Sequence, residues 1–131
     1  MQYKIHHIHI KSDDPKSTAD WFVAAFGFGV ISDETRAFGD RFIRLQDAAN
    51  VLVMISGRRT NEVLEPACTS SHLGLDHFGM RTNNLTDDLN RLSANGARVV
   101  EGPHNMPGGI RSAFLVVPGD VRVELIEGPA I

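Results

Sequence analysis

The chain has one cysteine, one tryptophan and one tyrosine in 131 residues, and no apolar run near the roughly 18 residues that a membrane-spanning helix needs. With Cys68 alone, no disulfide can form within the chain, so an apolar core has to hold the fold. A large excess of one charge is also missing: the formal charge is −3, with Lys, Arg, Asp and Glu interspersed. That balance offers no basis for gripping a phosphate backbone. Nor does the chain open with a basic segment and a continuous apolar stretch, since Met1 to Ile10 alternates histidine with isoleucine. Together these absences predict a cytoplasmic protein with neither nucleic acid nor membrane as a partner.

What is present is ordinary for a folded protein. Apolar residues make up 42% and charged residues 22%, enough for one compact domain over 1–131 or for two half-sized modules that share a core. Internal similarity favours modules. The segment His7-Ile8-His9-Ile10-Lys11-Ser12-Asp13-Asp14 matches His77-Phe78-Gly79-Met80-Arg81-Thr82-Asn83-Asn84. Each opens with histidine, places apolar residues one and three positions later, a hydroxyl five later and Asp or Asn seven later. The second lies 70 residues after the first, and the same offset of 70 relates Val51-Leu52-Val53-Met54-Ile55 to Val121-Arg122-Val123-Glu124-Leu125. One offset shared by both ends of two half-chains points to duplication of one unit.

Periodicity supplies the elements. Residues 3 to 12 alternate as a half-buried strand. Asp14 then caps a helix with Pro15 in its first turn, and Ala19, Phe22, Val23 and Phe26 form one apolar stripe, ended by Gly27 and Gly29. Strands are expected near residues 29 to 33, 38 to 46 and 50 to 56. The second half repeats the order: a strand near 73 to 82, Asn84 as cap, Leu85, Leu89 and Leu92 on one helical face, a stop at Asn95-Gly96, and strands near 97 to 101, 110 to 117 and 121 to 127. The expected fold class is therefore α+β, with one βαβββ module at 1–56, a polar connector at 57–71 and a second βαβββ module at 72–131.

Alternation along a strand places His7, His9 and Lys11 on one face, and Ile8, Ile10 and Ser12 on the helix-facing side. The same logic sets His77, Gly79 and Arg81 away from the helix, together with Arg122, Glu124 and Ile126 of the last strand. Two imidazoles and a carboxylate, His7, His77 and Glu124, are thus candidate ligands for one divalent cation: Fe, Mn, Ni, Co or Zn. His9 shares that face and is a candidate acid or base. Arg81 and Arg122 are candidate grips for a substrate carboxylate. His104, within the loop-like residues 103 to 109, is a third candidate substrate contact. Trp21 is expected against the sheet edge. Cys68 lies in the connector without a recognisable base beside it, so it is not expected to act as a nucleophile.

The pattern His-apolar-x-apolar-x-x-x-Asp before an amphipathic helix, repeated once and closed by Val-x-Val-Glu-Leu, resembles the vicinal oxygen chelate superfamily over roughly residues 3 to 128. That group includes glyoxalases, methylmalonyl-CoA epimerases, extradiol dioxygenases, fosfomycin-resistance thiol transferases and bleomycin-binding proteins. The resemblance implies paired modules curled into a cup-shaped sheet with helices outside, and it carries the metal-ligand positions onto His7, His77 and Glu124. The superfamily's first-module carboxylate or amide position falls on Met54, whose thioether is a poor ligand for a hard ion. Implied as function is a divalent-metal-dependent glyoxalase-like lyase or isomerase, with His9 and Glu124 as catalytic groups. Its substrate would be a small molecule that chelates the metal through adjacent oxygens, and the protein is expected to be a homodimer. The alternatives are an extradiol-type Fe(II) dioxygenase and a metal-free small-molecule binding or resistance protein.

Overall fold

Alternating apolar residues and two capped amphipathic segments produce two similar units. The computed structural model describes residues 1–129, and it divides into Met1–Glu65 and Pro66–Ile131. In the first unit the order is β1 (His7–Lys11), α1 (Pro15–Phe26), β2 (Gly29–Thr35), β3 (Arg41–Gln46) and β4 (Leu52–Ser56). In the second it is β5 (Phe78–Arg81), α2 (Leu85–Ser93), β6 (Arg98–Met106), β7 (Ile110–Val117) and β8 (Val121–Glu127). Each unit is a four-stranded mixed sheet, ordered β1-β4-β3-β2 and β5-β8-β7-β6. The class is α+β with a βαβββ order in each unit. No described helix is long and apolar enough to cross a membrane.

The 70-residue offset reappears in the hydrogen-bond register. Ile8 pairs with Val53 and Phe78 with Val123 in the parallel contacts, while Ile43 pairs with Ile55 and Ala113 with Leu125 in the antiparallel ones. Helix entry is repeated as well. The Ser12 hydroxyl accepts from the Asp14 amide at 3.1 Å and meets the Thr18 hydroxyl at 2.7 Å. Thr82 accepts from the Asn84 amide at 3.0 Å and donates to Asp88 at 2.5 Å. Asp14 and Asn84 then cap the helices through the amides of Ser17 and Asp87, at 3.0 and 3.1 Å. The hydroxyl and Asx positions of the repeated motif are there because they turn the chain from strand into helix.

Each helix covers one sheet face. Helix α1 contacts β3 and β4, and α2 contacts β6, β7 and β8. The first core gathers Ile10, Ala19, Phe22, Phe28, Ile43, Leu45, Val53 and Ile55; the second gathers Leu85, Leu89, Leu92, Ala113, Leu115, Val123 and Leu125. Burying each such large aliphatic or aromatic side chain stabilises by about 1.5–3 kcal/mol. Opposite the cores, the same strands carry Phe42, Met54 and Ser56, which are buried, and Arg44, Phe114 and Glu124, which are partly open.

Two sequence expectations need correction. The first strand of each unit starts at His7 and Phe78 rather than near 3 and 73. The expected loop at 103 to 106 belongs to β6, which is carried by two register shifts to Met106 opposite Ile110. Gly108 and Gly109, at φ 82° and 76°, make the reversal instead, in a conformation that side-chain-bearing residues rarely adopt. Apart from these corrections, Trp21 meets the rings of Phe22 and Phe26 edge-on, at 5.6 and 5.4 Å, within its own helix.

Phe22 is fully buried, so Phe22→Ala is expected to lower unfolding free energy by about 3–5 kcal/mol, and Asp14→Ala by about 1 kcal/mol. Urea titration of both variants checks the pair; a Phe22→Ala loss below that of the cap variant would contradict this core.

Candidate metal-binding face

In the second unit, parallel pairing sets β5 against β8 with Gly79 opposite Glu124. A Cβ on Gly79 would lie 3.9 Å from Glu124 Oε2, so the carboxylate lies across the glycine. From there Glu124 Oε2 reaches His77 Nε2 at 3.1 Å, with both side chains partly buried. The other ring nitrogen, His77 Nδ1, is 2.6 Å from Asp76 Oδ2. Phe114, paired with Glu124 on β7, supports the imidazole edge-on at 4.7 Å.

Arg122 closes the cluster. Its guanidinium lies over the Phe114 ring at 4.6 Å and forms ion pairs at 3.5 Å with Asp76 and with Glu101. Nε of Arg122 is buried and makes no hydrogen bond among the described residues, which leaves Asp76 as its nearest charge partner. The His77 hydrogen bond first, and then the charges of Arg122 and His77, hold the Asp76 carboxyl below its ordinary range against its own desolvation.

This arrangement has a chemical consequence. A neutral imidazole carries one proton; both His77 nitrogens face carboxylates, and the shorter contact, 2.6 Å to Asp76, favours that proton on Nδ1. The Nε2 lone pair then faces a carboxylate oxygen at 3.1 Å. Two such lone pairs need a cation between them, either a second proton or a metal ion. Donors about 2.1 Å from one ion and at right angles to each other lie about 3.0 Å apart, so the pair fits two adjacent coordination positions.

The first unit presents a different face. The positions equivalent to His77, Gly79, Phe114 and Glu124 are His7, His9, Arg44 and Met54, and Met54 pairs with both His9 and Arg44. Among the described residues of this unit no carboxylate hydrogen-bonds to His7. Its ring is exposed at the start of β1, with Nδ1 2.9 Å from His6 Nδ1. His9 Nε2 bonds the hydroxyl of buried Ser56 at 2.7 Å, and its ring lies 5.2 Å from Phe42. Burial, then the charges of Lys11, His7 and Arg36, push the His9 imidazole below its ordinary value, with Asp40 opposing. Phe42 lies between two guanidiniums, Arg36 at 4.0 Å and Arg44 at 4.7 Å. The fully buried Asp40 takes an Arg36 fork, with Nη2 at 2.6 Å.

Within the second unit the structure therefore brings together His77, Glu124 and Arg122, while its other candidates are placed elsewhere. Arg81 donates to the carbonyls of Gly128 and Pro129, at 2.6 and 3.3 Å. His104 is exposed on β6 opposite Ser112. Among the described residues no group of three or more His, Cys, Asp and Glu is gathered as a metal set. Asp76 and Phe114 were not legible as site residues. On a strand beginning near 73, Asp76 would point to the face opposite His77; because β5 begins at Phe78, the chain at Asp76 is free to fold its carboxylate onto the neighbouring ring. Cys68, contrary to the expectation of no base beside it, has His72 nearby, whose ring nitrogens meet the carbonyls of Ser70 and Leu75 at 2.7 and 3.0 Å.

A family model described as the Glyoxalase/Bleomycin resistance protein/Dioxygenase superfamily matches residues 6–114. The chain belongs to this superfamily. Nothing among the curated proteins matches it. Many solved structures share the fold. A glyoxalase family protein from Bacillus cereus is 12% identical, with 99% of this chain and 97% of that one covered and a TM-score of 0.85. A mutant of the fosfomycin resistance protein FosX from Listeria monocytogenes, complexed with Mn(II) and 1S,2S-dihydroxypropylphosphonic acid, is 14% identical over 98% and 93% with a TM-score of 0.74. TnmS3, an antibiotic binding protein from Streptomyces sp., is 20% identical over 98% of both chains with a TM-score of 0.68. The fold thus serves metal-containing and antibiotic-binding proteins alike.

Asp40, Asp33 and Glu62 are each held below the usual carboxylate range, chiefly by hydrogen bonds from Arg36, Arg41 and Lys11 respectively. A depressed folded-state value contributes stability that is complete above the unfolded value, near pH 4, and is lost as pH falls through the folded one. Urea midpoints should therefore drop from about pH 5 to pH 3. Asp40→Asn should start lower at neutral pH and fall less steeply; an unchanged slope would contradict the role given to this ion pair.

Proposed function

We propose that the chain is a divalent-metal-dependent enzyme of this superfamily, acting as a glyoxalase-like lyase or isomerase on a small molecule with two neighbouring oxygens. The observation that carries the reading is the 3.1 Å approach of His77 Nε2 to Glu124 Oε2 while Nδ1 is tied to Asp76. His77 and Glu124 would hold the cation with His7 as third donor, and Fe, Mn, Ni, Co and Zn all suit such a nitrogen and oxygen set. A bound divalent cation supplies Lewis acidity toward substrate oxygen.

The chain's own groups account for the rest. Glu124 would offset part of a bound cation's charge from its place across Gly79. His9, anchored by Ser56, takes or returns a proton at the carbon beside the substrate oxygens. Arg122, packed on Phe114, is the candidate contact for an anionic substrate group. Arg81 is already engaged by the carbonyls near the C-terminal end of the described chain, and His104 is left as a contact at the exposed edge. A homodimer is the proposed assembly, with His7 drawn from the same chain or from a second copy; partial recovery of cation binding on mixing His7→Ala with Glu124→Ala protein would require a shared site.

A second reading is a metal-free protein that sequesters a small molecule. It is favoured by the lack, among the described residues, of a gathered set of three donors. Protein purified without an affinity tag and reconstituted anaerobically with Fe, Mn, Ni, Co and Zn separates the two. About one equivalent of metal, with affinity weakened at least about tenfold in His77→Ala and in Glu124→Ala, is expected. Uptake below roughly a tenth of an equivalent would favour the binder. Turnover of hemithioacetals without oxygen supports the lyase, whereas oxygen consumption with catechols would replace it with the dioxygenase.

A further inference from the structure

A histidine at a metal site has two nitrogens, and the partner of the one that faces away decides which of them carries the proton. At His77 that partner is a charged group on the adjacent residue, and it is itself restrained. Asp76 Oδ2 is 2.6 Å from Nδ1 and also 3.5 Å from Arg122 Nε, while Arg122 is fixed by Phe114 beneath it and Glu101 beyond it. With Phe114 also against the His77 ring edge, the imidazole has little freedom to rotate or flip.

We infer that Asp76 is the positioning residue of this site: its carboxylate accepts a hydrogen bond from Nδ1–H of His77 and so aims the Nε2 lone pair at the place where Glu124 presents Oε2. Arg122 keeps the Asp76 carboxylate in that orientation. The inference rests on the metal-binding reading above for its purpose, but the hydrogen bond itself is a property of the metal-free protein. Asp76 is half exposed, at 50%, so truncating it leaves no core cavity. A fold lost in its variants would itself be unexpected. In the first unit the residue before the equivalent histidine is His6, which brings no carboxylate, so the device belongs to the second unit alone.

The test has two arms on wild type, Asp76→Asn and Asp76→Ala, all metal-free at the start. Nitrogen-15 shifts of the His77 side chain, at a pH where the ring is neutral, should show the proton on Nδ1 in wild type and a shift toward Nε2 in Asp76→Ala. Zn(II) titration by calorimetry should show affinity lower by about 10–100-fold in Asp76→Ala, with Asp76→Asn, which keeps an acceptor without the charge, in between. A wild-type ring protonated on Nε2, a tautomer unchanged in Asp76→Ala, or a Zn(II) affinity within about twofold of wild type would overturn the inference. If wild type itself takes up no Zn(II), the metal-binding reading fails, and the nitrogen shifts alone decide whether Asp76 sets the ring.

Discussion

The parallel pairing of the first strand of each unit with its last strand is the contact on which the site depends. A parallel neighbour needs a long crossover, and here α1 or α2 and two further strands provide it. The result is that residues 47 positions apart, His77 and Glu124, become side-by-side groups on one sheet face. Register is decisive: a slip of one residue in β8 would send Glu124 into the core and bring Val123 to the open face. The fully buried Val123 and nearly buried Leu125 make that slip costly. Core packing thus fixes the chemistry, because the same alternation that buries one set of residues presents the other.

Two copies of one architecture carry unequal chemistry. The second unit holds an imidazole between two carboxylates, with an arginine and a phenylalanine bracing them. The first unit has methionine where Glu124 stands and arginine where Phe114 stands, and it surrounds Phe42 with guanidiniums. Two of its carboxylates, Asp40 and Glu34, are engaged by Arg36 and Arg44. A half-buried carboxylate is tolerable only with a cation to answer it. Asp40 has Arg36, but among the described residues the polar partner of Glu124 is the ring of His77, which is also bonded to Asp76. That imbalance marks the second unit as the one that calls for an added positive charge.

Much of this was legible in the sequence. The repeated His…Ser/Thr…Asp/Asn motif marked both strand-to-helix entries, and the constant offset foretold a register that both sheets obey. Helix stripes and strand alternation correctly sorted buried from open faces, because burial and side-chain direction follow the same local periods. What periodicity does not encode is where an alternating segment stops pairing. Residues 3 to 6 and 73 to 77 form no ladder; their apolar residues, Tyr3, Ile5, Leu73 and Leu75, are out of phase with Ile8 and Phe78, and this early end to pairing is what allows Asp76 to turn onto His77. Likewise the stacking of Arg122 on Phe114 depends on neighbours across β7 and β8, which no single-strand pattern reveals.

Anomalous diffraction from crystals of the intact protein soaked in Mn(II) tests the central claim most directly. The account predicts one strong Mn peak within about 2.0–2.3 Å of both His77 Nε2 and a Glu124 carboxylate oxygen. A map with no peak between these two side chains, while Mn(II) is bound elsewhere on the molecule, would contradict it.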